Sequence, residues 1–207
     1  MGKRSPRQVF INCPFDLPYE PLFLALVSGI VSLGCQPRCV LEVPDKNRLG
    51  KIVQILRVCG ASFHDLSRIE ATKPKGERKG LPRFNMPFEA GIAYALSEMV
   101  EGHSFFVLES ERYRLQKTTS DLNGIDPLIH GGTSDGVLKR VKEALGDPSS
   151  ATQTVPLKAM KQVARTVADT IQALRLEEDF DSVFDATGFK FAVTIATEAA
   201  RAQRLIL

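Results

Sequence analysis

The sequence predicts an α/β protein: a parallel sheet of about five strands with helices on both faces, followed by a helical C-terminal part. Three observations lead there. Short apolar runs alternate with helix-period segments as far as Leu145, polar residues that can do chemistry gather just after the runs, and the composition changes beyond Gly146. The expected division is therefore 1–147 for the α/β domain and 148–207 for a helical appendage.

Val9-Phe10-Ile11-Asn12 is a short apolar run, as expected of a strand covered on both faces. Tyr19 to Leu33 is apolar on most sides and ends at Gly34, a favourable helix C-cap. Pro37 to Glu42 reads as a second strand. Arg48 to Cys59 places Leu49, Ile52, Val53 and Leu56 at helical spacing, closed by Gly60. Ala61 to Asp65 is a third strand, short and mixed. A long polar segment, 67 to 85, comes next; loops of that length often act as lids or binding loops. A helix follows, with Pro87 expected at its first position and Glu89 in its first turn, near the positive end of the helix dipole. Ser104 to Leu108 is the fourth strand, and Ile129 belongs to a short fifth before a helix from Asp135 to Leu145. Leu157 to Leu176 and Phe189 to Arg204 read as amphipathic helices, joined by an acidic segment, that pack on the domain or make a homo-oligomer.

Composition narrows the function. The 207 residues carry a net charge of +3, too small to argue for nucleic acid, although Lys73 to Arg83 is locally basic. No apolar run reaches the roughly 18 residues of a membrane span, and the charged start has no apolar stretch behind it. Pro6 stands where a myristoylation pattern wants Ser or Thr. Cys13, Cys35, Cys39 and Cys59 lack the paired spacing of a zinc site and read as reduced thiols in a cytoplasmic protein. No metal and no cofactor is expected.

Right-handed crossovers put every strand-to-helix loop at the carboxyl edge of such a sheet, where ligands bind. Four segments can then meet: Asn12 to Tyr19, Glu42 to Arg48, His64 to Glu89, and Glu109 to Asp121. In the first, Asn12 and Asp16 can hydrogen-bond a sugar or base, and Phe15 and Tyr19 can stack on one. Equally, the segment can be a rigid turn in which Asp16 caps a helix. Asp65 and Arg68 suit a ribose hydroxyl or phosphate, or a loop cap and a surface ion pair. Glu42 suits a ribose hydroxyl or is an exposed loop acid. Arg83, Arg112 and Arg114 can neutralise a phosphate together with Arg68. Asn85 and Asp121 complete the candidate set. His64-Asp65-Leu66-Ser67 is no triad, because adjacent strand side chains point to opposite faces.

Phe88-Glu89-Ala90-Gly91-Ile92-Ala93 resembles the F/x-E-x-G-x-A helix start of the nucleoside 2-deoxyribosyltransferase family. That family shares its flavodoxin-like architecture with TIR and TIR-like NAD-cleaving domains. The resemblance spans roughly residues 8 to 145. Asn85-Met86-Pro87-Phe88 departs from the family's Asp and Gly-Thr just before the glutamate, and the first loop also differs. The resemblance implies that Glu89 attacks, or stabilises the cation at, the anomeric carbon of an N-glycosidic bond. The implied partner is a nucleotide or nucleoside, NAD first, and a stress or phage-defence effector is a natural setting. The alternative is a non-catalytic nucleotide-binding signalling module that self-associates through its C-terminal helices.

Overall fold

The computed structural model describes residues 6–43, 46–69, 82–119, 122, 124–146, 155–177 and 180–207. Five strands, β1 (Gln8–Asn12), β2 (Gln36–Cys39), β3 (Ala61–Asp65), β4 (Ser104–Glu109) and β5 (Leu128–Ile129), form one sheet in the order β2-β1-β3-β4-β5. Every pairing is parallel. The chain order reverses at the β1/β3 junction, with β2 on one side and β4 and β5 on the other. This is the flavodoxin-like arrangement, whose ligand crevice lies outside the carboxyl ends of the strands at that junction.

Strand alternation assigns side chains to two faces. Val9, Ile11, Ala61, Phe63 and Leu108 join a core built with α1 (Glu20–Ser32), α5 (Ser134–Leu145), α6 (Leu157–Leu176) and α7 (Ala186–Ala202). On the opposite face, Phe10 packs with Ile52, Ile55 and Leu56 of α2 (Arg48–Val58) and with Ala93 of α3 (Asn85–Met99). Val107 packs there with Met86, Ala90 and Leu115, the last from the short helix α4 (Arg114–Thr118).

The C-terminal helices share the first core. Met160, Val163, Val167 and Ile171 of α6, and Phe189, Ala192, Ala196 and Ala200 of α7, repeat at three- and four-residue steps and are buried against α1 and one another. Each of the larger side chains contributes about 1.5–3 kcal/mol by leaving water. With helices on several sides, α1 is buried along nearly its whole length, which is why its sequence is apolar all round. Gly29 allows the close approach of α5: a Cβ there would lie 3.1 Å from Val141 Cγ1.

Three boundaries differ from expectation. The second strand ends at Cys39, and Val40–Glu42 form a 3-10 turn because Glu42 Oε1 accepts the Cys39 N–H at 2.8 Å and folds the chain back. The helix carrying Glu89 starts at Asn85, so Pro87 is its third residue and Glu89 its fifth, one turn beyond the strongest part of the dipole. Pro87 is tolerated because the first four helical N–H groups have no intrahelical partner. The last helix starts at Ala186 rather than Phe189, since Asp185 caps it through the Gly188 N–H at 2.7 Å. No described helix is long and apolar enough to cross a membrane.

Candidate active site

The carboxyl ends of β1 and β3 are joined by side chains. Asn12, the last residue of β1, donates its amide to the Met86 carbonyl at 3.0 Å and to His64 Nδ1 at 3.1 Å. It thereby ties both central strands to the first turn of α3, three residues before Glu89. Accepting at Nδ1 puts the His64 ring proton on Nε2. That atom is buried without a hydrogen-bond partner, and the ring lies 4.9 Å from Phe105. Burial lowers the His64 pKa to about 3, so the ring is neutral.

Glu89 is 7% exposed and has no hydrogen bond or ion pair among the described residues. Burial raises its pKa to about 7, while the Arg48 charge pulls it down. The Cys13 thiol, directly after Asn12, is fully buried. Burial raises its pKa well above the ordinary value, and Asp65, Asp16 and Glu89 add to that rise.

Asp65 points to the other face, as strand alternation requires. It is fully buried but satisfied: Tyr19 donates its hydroxyl to Oδ2, and the Ser67 N–H donates to Oδ1 at 2.9 Å. His130 Nε2 lies 3.2 Å from Oδ2, within ion-pair range but without the alignment of a hydrogen bond. The Gly132 N–H donates to His130 Nδ1 at 3.0 Å, which puts the ring proton on the nitrogen facing Asp65. Burial pushes the Asp65 pKa up, but His130, Ser67 and Tyr19 outweigh it and the net shift is downward.

These contacts correct several expectations. The Tyr19 ring is fully buried, so it offers no face to a base. Phe15 packs in an aromatic cluster, 6.0 Å from Phe23 and 5.9 Å from Phe184. Asp16 accepts the Tyr19 N–H at 3.0 Å and pairs with Arg83 at 2.5 Å and Arg68 at 3.5 Å. These pairs engage two of the four arginines expected to meet a phosphate. Arg114 turns inward, donating to the Ser67 carbonyl and lying 3.3 Å from the buried Glu109. Arg112 faces a separate cavity of 310 Å³ beside β5, with Tyr113 and Arg140. The four arginines are therefore not one cluster: Arg68 and Arg83 answer Asp16, Arg114 answers Ser67 and Glu109, and Arg112 faces another cavity. Asn85 is exposed at the start of α3. Asp121 and most of the basic Lys73 to Arg83 segment lie outside the described residues. His103 is half-buried and hydrogen-bonded to Ser62 Oγ and the Cys59 carbonyl.

Sequence reasoning missed His130, Glu109, Arg48 and Phe184. Glu109 ends β4 and His130 directly follows β5, where a lone polar residue after an apolar run was the available signal. Phe184 carried no such signal, since its position depends on how α6 and α7 dock. Among the described residues no group of three His, Cys, Asp or Glu could hold a metal ion.

Fold and site together define a flavodoxin-like α/β protein with an unpaired buried acid beside the β1/β3 junction. No family model matches the chain, and no curated protein matches it. Among solved structures it is similar to a 2-desoxiribosyltransferase from Leishmania mexicana, at 18% identity over 56% of this chain and 72% of that one, with a TM-score of 0.37. A likeness that distant carries no argument about function.

Proposed function

We propose that the protein processes a nucleoside or nucleotide by breaking its C–N glycosidic bond, with Glu89 as the catalytic carboxylate. The observation that carries this reading is the state of Glu89: buried, without a hydrogen bond or ion pair among the described residues, and carried on the helix whose first turn Asn12 ties to the β1/β3 ends. A carboxylate kept for structure would have partners, as Asp65 has.

The reaction breaks the bond between C1′ and the base nitrogen, and the electron pair leaves with the base. The positive charge left on the sugar is stabilised by the Glu89 carboxylate or trapped as an ester. Water then adds at C1′ and releases a proton, completing hydrolysis. A cationic nicotinamide leaves as a neutral ring and needs no acid help, so NAD is the first substrate to try. A substrate that brings positive charge also favours the ionised form of Glu89. Asn12 acts as a positioning residue by fixing the turn that presents the carboxylate.

Incubation with NAD, NADP and a panel of nucleosides, with released base read by chromatography, tests the reading. Turnover that falls at least a thousandfold in Glu89→Gln supports it, a loss in keeping with removal of a group acting in the transition state. Turnover equal to wild type in that variant overturns it. The activity rises with pH through about 7, because the carboxylate is the working form. Self-association through α6 and α7 would use the exposed Leu176 and Phe191, and sedimentation equilibrium reads it. A role as a stress or phage-defence effector follows only if base release depletes an essential nucleotide in cells.

A further inference from the structure

Resting on that reading of Glu89, we propose that Phe184, brought to the cleft by the segment between α6 and α7, is a specificity-determining residue. It forms a subsite for a neutral sugar-and-ring portion of the substrate, beyond the bond that Glu89 attacks. The C-terminal helices thus complete the site.

A cavity of 420 Å³ opens at the carboxyl end of β2, between the 3-10 turn and the start of α7. Its size falls within the roughly 300–1,000 Å³ of small-molecule sites. Leu41, Val43 and Phe184 supply apolar wall, and Glu42, Asp185 and Arg48 supply polar edge. Phe184 lies 5.9 Å from Phe15 in the loop after β1, the strand whose Asn12 holds the Met86 carbonyl three residues before Glu89, so the cavity and the carboxylate share one strand end. The Arg48 charge at the cavity edge also lowers the Glu89 pKa.

The polar edge selects the occupant. Glu42 accepts from Arg38 Nε and the Cys39 N–H, and Asp185 Oδ1 accepts the Gly188 N–H. A carboxylate has about four lone-pair sites, so each can still take a sugar hydroxyl. An anion deep in the cavity would face both carboxylates, whereas hydroxyl donors and a ring face meet what is there. A phosphate linking the two halves of such a substrate belongs on the Arg48 side.

The wall is built to stay put. Phe184 lies 5.4 Å from Phe23 and 5.9 Å from Phe15, and its N–H donates to Ser182 Oγ at 3.0 Å. Arg175 at the end of α6 grips Glu20, the first residue of α1, through two bonds of 2.8 and 2.5 Å. Gly188 lets the segment fold tightly over α7, since a Cβ there would meet the Ser182 carbonyl oxygen at 1.9 Å. A wall fixed in advance loses little entropy when a ligand docks.

Ala186 is exposed at the first position of α7 and lines the cavity, so Ala186→Trp fills it from the outside. The probes are NAD, which carries a second sugar and ring, and nicotinamide riboside, which carries only the reacting half. In Ala186→Trp, the ratio of kcat/KM for NAD to that for the riboside falls at least tenfold, and Phe184→Ala lowers it in the same direction. An unchanged ratio in folded Ala186→Trp, with a native thermal melt, overturns the proposal. If wild type turns over neither probe nor any nucleotide or nucleoside of the panel, the Glu89 reading has failed, and adenosine binding by calorimetry decides the subsite alone. Binding to wild type that Ala186→Trp abolishes supports it, and no binding to wild type overturns it.

Discussion

Asp65 and Glu89 are both buried carboxylates near the end of β3, yet the two faces of the sheet hold them in opposite states. On the α1/α5 side, Asp65 receives a tyrosine hydroxyl and a backbone N–H, and His130 stands beside it; its pKa is lowered. On the α2/α3 side, Glu89 has apolar neighbours and a cation, and its pKa is raised to about 7. Groups of one chemical type pushed apart by their surroundings mark a division of roles. Asp65 holds the segments after β1, β3 and β5 together, and Glu89 carries no such ties among the described residues, as the proposed role requires.

The sharpest way to break this comparison is to remove each acid in turn. Asp65→Ala strands the Tyr19 hydroxyl, the Ser67 N–H and His130 in the core, and should cost about 3–5 kcal/mol in urea unfolding. Glu89→Gln should cost far less or stabilise, because it removes a poorly solvated charge. Equal losses would make Glu89 a structural acid.

A smaller effect sharpens the same contrast through pH. Glu89 binds its proton more tightly folded, with a pKa of about 7, than unfolded at about 4.5. The folded state therefore holds more protons between those values, and stability falls as pH rises across them. Relative to Glu89→Gln, wild type should lose at most about 3 kcal/mol from pH 4.5 to 7 and then level off. His64 acts oppositely: its folded pKa of about 3 lies below the ordinary 6.5, so its contribution is lost as pH falls below 6.5. Asp65, with a lowered pKa, contributes stability that is present above its ordinary value of 3.8 and lost as pH falls below it. Unfolding of both proteins across pH 4 to 8 separates the Glu89 slope from that of His64, and extending it below pH 3.8 reads Asp65. The smallest change is expected of Arg48→Gln, which removes the cation that lowers the Glu89 pKa. The midpoint of the pH–rate profile should move to higher pH, and an unmoved midpoint would detach Arg48 from Glu89.

Much of this was legible in order along the chain. Alternating apolar runs and helical periods determined the layered sheet, and the limits of β3 and α6 match the sequence reading because Gly60, Pro156 and the hydrophobic steps punctuate them. Glu89 stood out as a lone acid among small and apolar residues. The arginines did not resolve, because charge on a sequence says nothing of which acid lies nearest once loops are folded. Tyr19 and Phe15 looked like stacking groups, and docking of α6 and α7 and the Tyr19 hydroxyl bond to Asp65 committed them to the core.

The sequence by itself determined which segments are strands and helices, and which face of each must leave water, since periodicity is a local property of backbone geometry. Tertiary structure alone decided which of two buried acids is satisfied, which arginines are spoken for, and that a wall of the cleft comes from the far end of the chain. Those outcomes depend on contacts between residues far apart in the chain, from Tyr19 with Asp65 to Arg175 with Glu20, and no local pattern encodes them.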